Sequence, residues 1–174
     1  AGCTVALRGV RDALGLEAIE YMDGNSLGML RARRQEIGAA SGVPECLPEG
    51  AGCGLYLDLG TDAAKVAGAL SAVAEIGGRW GADPAACWCA MDRADRERLR
   101  VFRHALPETV NHRIGEIRRQ HRTVTKLGTD MAVPDDRLGD VLALYRSRLE
   151  AAGLTYVVFG HIGDNHLHVN ILPR

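Results

Sequence analysis

The sequence has no apolar run long enough to cross a membrane and no large excess of either charge. No uninterrupted apolar stretch approaches the roughly 18 to 20 residues that a membrane-spanning helix needs. The chain also starts without the basic flank and apolar segment of a signal peptide. The formal net charge of −1 gives no global reason to expect nucleic acid or an acidic membrane as a partner. We therefore expect a cytoplasmic protein.

The cysteine pattern also argues against a secreted disulfide framework. The five cysteines are an odd number, and Cys87 and Cys89 flank a single tryptophan, which is not the spacing of a metal-binding C-x-x-C knuckle. Cys46 and Cys53 lie in a segment with proline and glycine. We expect free or structural thiols at these positions.

Lysine is scarce, with two residues against 19 arginines. Between Met91 and Lys126 the chain has ten Arg or Lys against five Asp or Glu. This segment either faces an anionic ligand or forms a solvated helical face. The second interpretation is favoured, because arginine is abundant along the whole chain.

The 174 residues, 47% of them apolar, are enough for one domain with its own core, and strand-like and helix-like segments alternate along them. Alternating polarity or apolar runs predict strands at residues 16–22, 55–59, 86–91, 155–159 and 167–172, and residues 123–133 are predicted to be extended. Helices are predicted at residues 26–34 and 108–119. A third helix is predicted from an N-cap at Thr61 to Gly77-Gly78, and a fourth from Asp92 to a break at Pro107. A fifth is predicted from Pro134 to a left-handed cap at Gly153.

This order of elements predicts an α+β protein with a largely antiparallel sheet and helices packed on one face. The sequence disfavours a doubly wound nucleotide-binding fold, because no predicted strand leads into GxGxxG or GxxxxGK[ST]. No linker or internal repeat divides the chain.

The most informative segment is residues 160–168, which holds three of the six histidines. If residues 167–172 form a strand, His166 and His168 project from one face. The turn-forming Gly163-Asp164-Asn165 can bring His161 beside His168. Imidazoles gathered in this way favour a zinc-type site. The alternative is that the histidines are solvated or hydrogen-bonded on a sheet surface, with Asp164 as a turn residue.

Residues 158–171, VFGHIGDNHLHVNI, resemble the F-G-H-x-G-D-G-N-L-H-x-N signature of the C-terminal domain of FAD-linked oxidases. That family includes D-lactate dehydrogenases, the glycolate oxidase flavoprotein subunit and D-2-hydroxyglutarate dehydrogenase. Upstream, the TDMAVP segment at 129–134 and the RHALPE segment at 103–108 also resemble family elements. The resemblance extends over residues 1–174.

The resemblance implies a ferredoxin-like α+β domain in which His161 and His168 bind a divalent metal, usually zinc, that holds a 2-hydroxy acid. It further implies that Arg103 binds the substrate carboxylate and that Asn170 contacts the substrate. The family binds FAD mainly through an N-terminal domain with a Gly-rich segment, which has no match here. We therefore expect the substrate, or cap, domain of a longer flavoprotein, inactive by itself.

Three departures from the family pattern affect the site. Where the family signature usually has Gly-Asn, this chain has Asn165-His166. We assign the additional imidazole of His166 to catalysis, as a proton acceptor or a further metal ligand. The lysine of some members corresponds to Gly128, so Lys126 is the nearby candidate for substrate binding. The family's third ligand, a Glu in a later E-H-G segment, has no counterpart, and we expect it beyond Arg174.

The leading hypothesis is therefore an FAD-dependent oxidoreductase that converts a small 2-hydroxy acid into the 2-oxo acid. A metal-binding module for a small anion, without redox chemistry, is the alternative. A third hypothesis is an oligomerisation or sensory domain with structural histidines. A homo-oligomer is compatible with each of them.

Overall fold

A computed structural model describes residues 2–45 and 47–173 and contains one sheet of five strands in the order β2-β1-β4-β5-β3. The strands are β1 (Leu16–Asp23), β2 (Cys53–Leu59), β3 (Leu127–Ala132), β4 (Thr155–Gly160) and β5 (His166–Leu172). The α-helices are α1 (Gly2–Gly9), α2 (Arg11–Leu14), α3 (Gly24–Ile37), α4 (Ala63–Arg79), α5 (Arg93–Gln120) and α6 (Leu138–Ala151). All four strand pairings are antiparallel, which confirms the α+β class and agrees with a ferredoxin-like architecture.

Two hydrophobic clusters lie on opposite faces of this sheet. Met22 and Val157 belong to a cluster that includes α3 and α5, whereas Ile19 and Val158 belong to a cluster that includes α1 and α6. Because neighbouring strand residues point to opposite faces, these two clusters lie on opposite sides of the sheet, and helices pack against both. The reason is visible in β4, where consecutive apolar residues need cover on both faces.

Residues between β1 and α3 connect that helix to the sheet. Asp23 is the N-cap of α3, and its Oδ1 accepts a 2.8 Å hydrogen bond from the Ser26 amide. The fully buried Ser26 hydroxyl lies 2.6 Å from the same oxygen and 3.2 Å from the Val158 carbonyl oxygen in β4. The predicted helix at 26–34 is confirmed and extends beyond both predicted ends.

The predicted helix break at Pro107 is wrong, because α5 runs through it. A proline inside a helix costs about 3 kcal/mol and leaves the carbonyl four residues earlier without its helical donor. Apolar side chains on both sides of Pro107 are buried against the core, and burial of each large one contributes roughly 1.5–3 kcal/mol. These include Phe102, Leu106, Val110 and Ile114. Their combined burial outweighs the local cost.

The predicted strand at 86–91 is also wrong. Pro84–Ala86 is a single 3₁₀ turn, and residues 87–91 have no regular structure. The ring of Trp88 instead packs edge-on against Phe102 at 5.5 Å between centroids. An apolar run becomes a strand only where a neighbouring strand can pair with it, and the described sheet offers no pairing partner here.

Other boundaries agree more closely. The strands predicted at 16–22, 55–59, 155–159 and 167–172 are confirmed, and Asp92 caps α5 by accepting from the Asp95 amide. Gly153 adopts a φ of 62° after α6, as predicted. Helix α4 differs, since its N-cap is Asp62 rather than Thr61 and it continues through Gly77-Gly78 to Arg79.

Two further observations concern the surface. Cys53, Cys87 and Cys89 are exposed free thiols, and Cys3 is a half-buried free thiol. Cys46 lies outside the described residues. Within the described ranges, no helix combines the length and apolar character needed to span a membrane.

Candidate metal centre

The turn between β4 and β5 brings the three histidines to one region. Gly160 has a φ of 141°, and a Cβ at this position would lie 2.8 Å from the His166 carbonyl oxygen. Only glycine tolerates this approach without strain. The amides of Asp164 and His166 both donate to the His161 carbonyl, at 3.0 and 3.1 Å. The backbone therefore reverses sharply between His161 and His166.

Asn165 completes this turn in a left-handed conformation, with a φ of 53°. Its side chain is buried; Oδ1 accepts from Arg8 at 2.6 Å and Nδ2 donates to Asp135 at 2.6 Å. Arg8 also pairs with Asp135 at 2.5 Å, and hydrogen bonds from Arg8 and then Asn165 hold the pKa of that carboxyl below its usual value. Asp164 lies outside this arrangement and pairs with Arg11 at 3.1 Å.

The three imidazoles of residues 161, 166 and 168 are close enough to share one ion. The ring centroids of His166 and His168 are 5.1 Å apart, and each is 6.0 Å from that of His161. Imidazoles around one tetrahedral zinc ion have ring centres about 5 Å apart, given a Zn–N bond of about 2.1 Å. The predicted common face of His166 and His168 is confirmed by their positions in β5.

Asp130 of β3 faces these histidines, although the sequence reasoning did not propose it as a ligand. It lies opposite His168 in the strand register. Its Oδ1 contacts Nε2 of His166 and lies 3.1 Å from Nδ1 of His168. Contact with His166 is the main cause that lowers the pKa of Asp130, while burial is the main cause that lowers the pKa of His168. A carboxylate and an uncharged imidazole are the forms that bind metal.

Glu20 of β1 is a second residue that the sequence reasoning missed. Its side chain is 8% exposed, contacts the Arg103 guanidinium of α5 and lies 2.8 Å from Nδ1 of His161. This contact leaves Nε2 of His161 available, which is the common carboxylate–histidine arrangement behind metal ligands. Arg103 also lies over the Tyr56 ring, 5.8 Å from its centroid. In the sequence, the signal that Glu20 faces inward is limited to the alternation of polar and apolar residues along β1.

The two remaining predicted substrate residues differ in position. Asn170 is buried in β5, on the face that carries His168, and lies opposite Gly128. A Cβ at Gly128 would be 3.2 Å from Asn170 Oδ1, so a larger residue there would crowd the amide. Lys126 is exposed and donates to Asn111 of α5 at 3.3 Å. Lys126 is therefore hydrogen-bonded to a residue outside the histidine group.

A comparison with family models decides the family. The model for the C-terminal domain of FAD linked oxidases matches residues 1–174. The chain belongs to this family. It is thus part of an FAD-linked oxidoreductase. No functionally curated protein matches the chain.

The donor set fits the divalent metal expected from the sequence. Ligand atoms of Asp130, His166 and His168 all lie within 4.8 Å of one another. Nitrogen and carboxylate oxygen donors suit zinc and related ions. The side chains of His161 and His166 are 47% and 36% exposed, so a small substrate can reach them. Surface depressions along α5 and between β1 and α6 lie elsewhere.

Two helix starts among the described residues are poorly suited to the pyrophosphate of FAD. A dinucleotide is commonly held by free amides at a helix N-terminus. The amides at the start of α3 and α5 are instead occupied by Asp23 and Asp92. These carboxylates would repel a phosphate.

Proposed function

We propose that this chain is the substrate-binding domain of an FAD-dependent oxidoreductase that oxidises a small 2-hydroxy acid to the 2-oxo acid. Lactate, glycolate and 2-hydroxyglutarate represent this substrate class. The observation that supports the proposal is that Arg103 and His161 contact the same oxygen of Glu20. The Arg103 guanidinium, which can bind a substrate carboxylate, therefore lies beside His161, a candidate ligand of the metal. A 2-hydroxy acid carries its carboxylate and hydroxyl on adjacent carbons and needs these two groups close together.

Each residue has a role in this proposal. Arg103 binds the carboxylate through its planar guanidinium, and Asn170 and Lys126 offer further hydrogen bonds. His161 and His168 are the family pair that would hold the ion. When bound, the ion supplies Lewis-acid polarisation of the hydroxyl and FAD supplies the hydride acceptor. The hydroxyl proton must pass to a base at the site or to water. His166 is either that base or a further ligand, and in the second case the proton passes to water, which reaches the partly exposed histidines.

We further propose that FAD is bound mainly by another domain of the same polypeptide. The Asp-capped starts of α3 and α5 support this division. Every residue of β3, the strand that carries Asp130, is exposed, so the FAD-binding domain has room to lie beside the site.

Anaerobic flavin reduction in the full-length protein tests the proposal. D-lactate, glycolate and D-2-hydroxyglutarate are mixed with the oxidised enzyme, and the flavin absorbance is followed by stopped flow. At least one acid should reduce the flavin, whereas the matching alcohol without a carboxylate should not. Arg103→Lys should weaken the apparent substrate affinity by about tenfold or more, because it removes the bidentate fork.

Arg100→Lys is the matched control, since Arg100 pairs with Glu97 on the same helix at the exposed surface. It should reduce its flavin as the wild type does. If none of the acids reduces the flavin, the proposal is wrong. Retention of a divalent ion and a small anion, with the flavin left oxidised, would support a metal-binding module without redox chemistry.

A further inference from the structure

We infer that Asp130 and His166 are direct ligands of the divalent ion in this chain and form a three-donor site with His168. This inference rests on the proposed function only in assuming that the same ion serves the substrate. It assigns the unexplained third imidazole to coordination rather than to proton transfer.

The two strands bring the three donors together. Asp130 is opposite His168 in the pairing of β3 with β5, and Ala132 is opposite His166. His166 and His168 are two residues apart, so their side chains leave the same face. The ligand atoms lie within 4.8 Å of one another. Ligands of one tetrahedral zinc ion are about 3.4 Å apart, so the most widely separated pair of ligand atoms needs to approach by at most about 1.4 Å.

The carboxylate oxygen of Asp130 lies where the two imidazoles of β5 meet. Ring nitrogens of both His166 and His168 approach this one oxygen. A proton-transfer pair would need only one imidazole beside the carboxylate. Two ring nitrogens and one carboxylate oxygen gathered in one place are instead a donor set that a single divalent ion can bind after a small separation of the groups. Asp130 is 69% exposed, so its side chain can rotate to admit the ion.

His161 occupies a different position. Its Nδ1 is bound to Glu20, and its ring centroid is 6.0 Å from each of the other two. It is outside the group of atoms that lie within 4.8 Å. A site with two imidazoles and one carboxylate leaves at least one position of a four-coordinate ion open. That position can accept His161 or the substrate hydroxyl.

Nitrogen NMR of the histidine rings tests the inference directly in the unaltered chain. The ¹⁵N-labelled full chain is titrated with Zn²⁺, and the ring nitrogens are followed through their couplings to ring protons. We expect Nε2 of His166 and Nδ1 of His168 to shift with a stoichiometric end point. Shifts confined to His161 and His168 would overturn the inference but leave the metal of the proposed function in place.

Zinc affinity of matched variants provides the second arm. His166→Asn restores the usual family residue, and Asp130→Asn keeps the size of an exposed side chain. Each should raise the Kd for Zn²⁺ by at least about tenfold, because loss of an indirect partner already costs 10- to 100-fold. His121→Asn, at an exposed position after α5, should leave the Kd unchanged.

The thermal melting temperatures of the metal-free variants show whether the variants fold. If both cluster variants fold and bind zinc within about twofold of wild type, the inference is wrong. If wild type binds no divalent ion, both the inference and the metal of the proposed function are wrong. Flavin reduction by 2-hydroxy acids then still tests the rest of that proposal.

Discussion

Replacement of Glu20 by glutamine removes one charge from the best-buried ionic contact of the site. Glu20 is 8% exposed, whereas the Arg103 side chain that it contacts is 33% exposed. The same carboxylate holds Nδ1 of His161 at 2.8 Å. Glutamine has nearly the same shape, so the substitution tests charge and hydrogen bonding rather than packing.

The expected loss of stability follows from these contacts. A hydrogen bond to a charged group contributes about 1.5–3 kcal/mol, and removing one partner of a buried ion pair costs about 3–5 kcal/mol. Arg103 remains partly solvated after the substitution, and the glutamine carbonyl can still accept a hydrogen bond. We therefore expect Glu20→Gln to lower the free energy of unfolding by about 1–3 kcal/mol.

Urea denaturation at neutral pH measures this change, together with a double-mutant cycle. Arg103→Gln should also destabilise, and the double variant should lose less than the sum of the two single losses, because the pair interacts directly. Glu97→Gln is the control, since Glu97 and Arg100 are each more than half exposed, and it should change little. A Glu20→Gln loss below about 0.5 kcal/mol, or strict additivity, would refute this reasoning.

Three further predictions concern stability. Asp23→Ala removes the side-chain cap of α3 and should cost about 1 kcal/mol in urea unfolding, whereas Asp62→Ala, at a cap without a side-chain bond, should cost less. The buried Tyr145 hydroxyl has no hydrogen-bond partner among the described residues, so Tyr145→Phe should stabilise by about 1 kcal/mol; a loss would show that the hydroxyl is satisfied. The pKa of Asp135 is lowered in the folded state, so ionised Asp135 stabilises the fold at pH values above the usual carboxyl pKa. This stabilisation is lost as the pH falls through the lower pKa of the folded state. The melting temperatures of wild type and Asp135→Asn should therefore converge as the pH falls below about 4, and a constant difference would contradict the assigned cause.

Local patterns were sufficient for much of the fold. Alternating or continuous apolar residues located four strands, and capping residues such as Asp92 and Gly153 located helix ends, because these signals act within a few residues. The helix through Pro107 and the irregular segment at 86–91 were mispredicted. Both depend on partners distant in sequence: the core that α5 covers, and a pairing strand that residues 86–91 do not find.

The histidine cluster divides in the same way. The sequence by itself determined that His166 and His168 share a face and that a tight turn returns the chain from His161, because side-chain alternation and turn chemistry are local properties of the backbone. Only the tertiary structure brought Asp130 opposite His168 and placed Glu20 between Arg103 and His161. Those contacts depend on strand order and register, which are decided by burial of both faces of the sheet and not by any one segment.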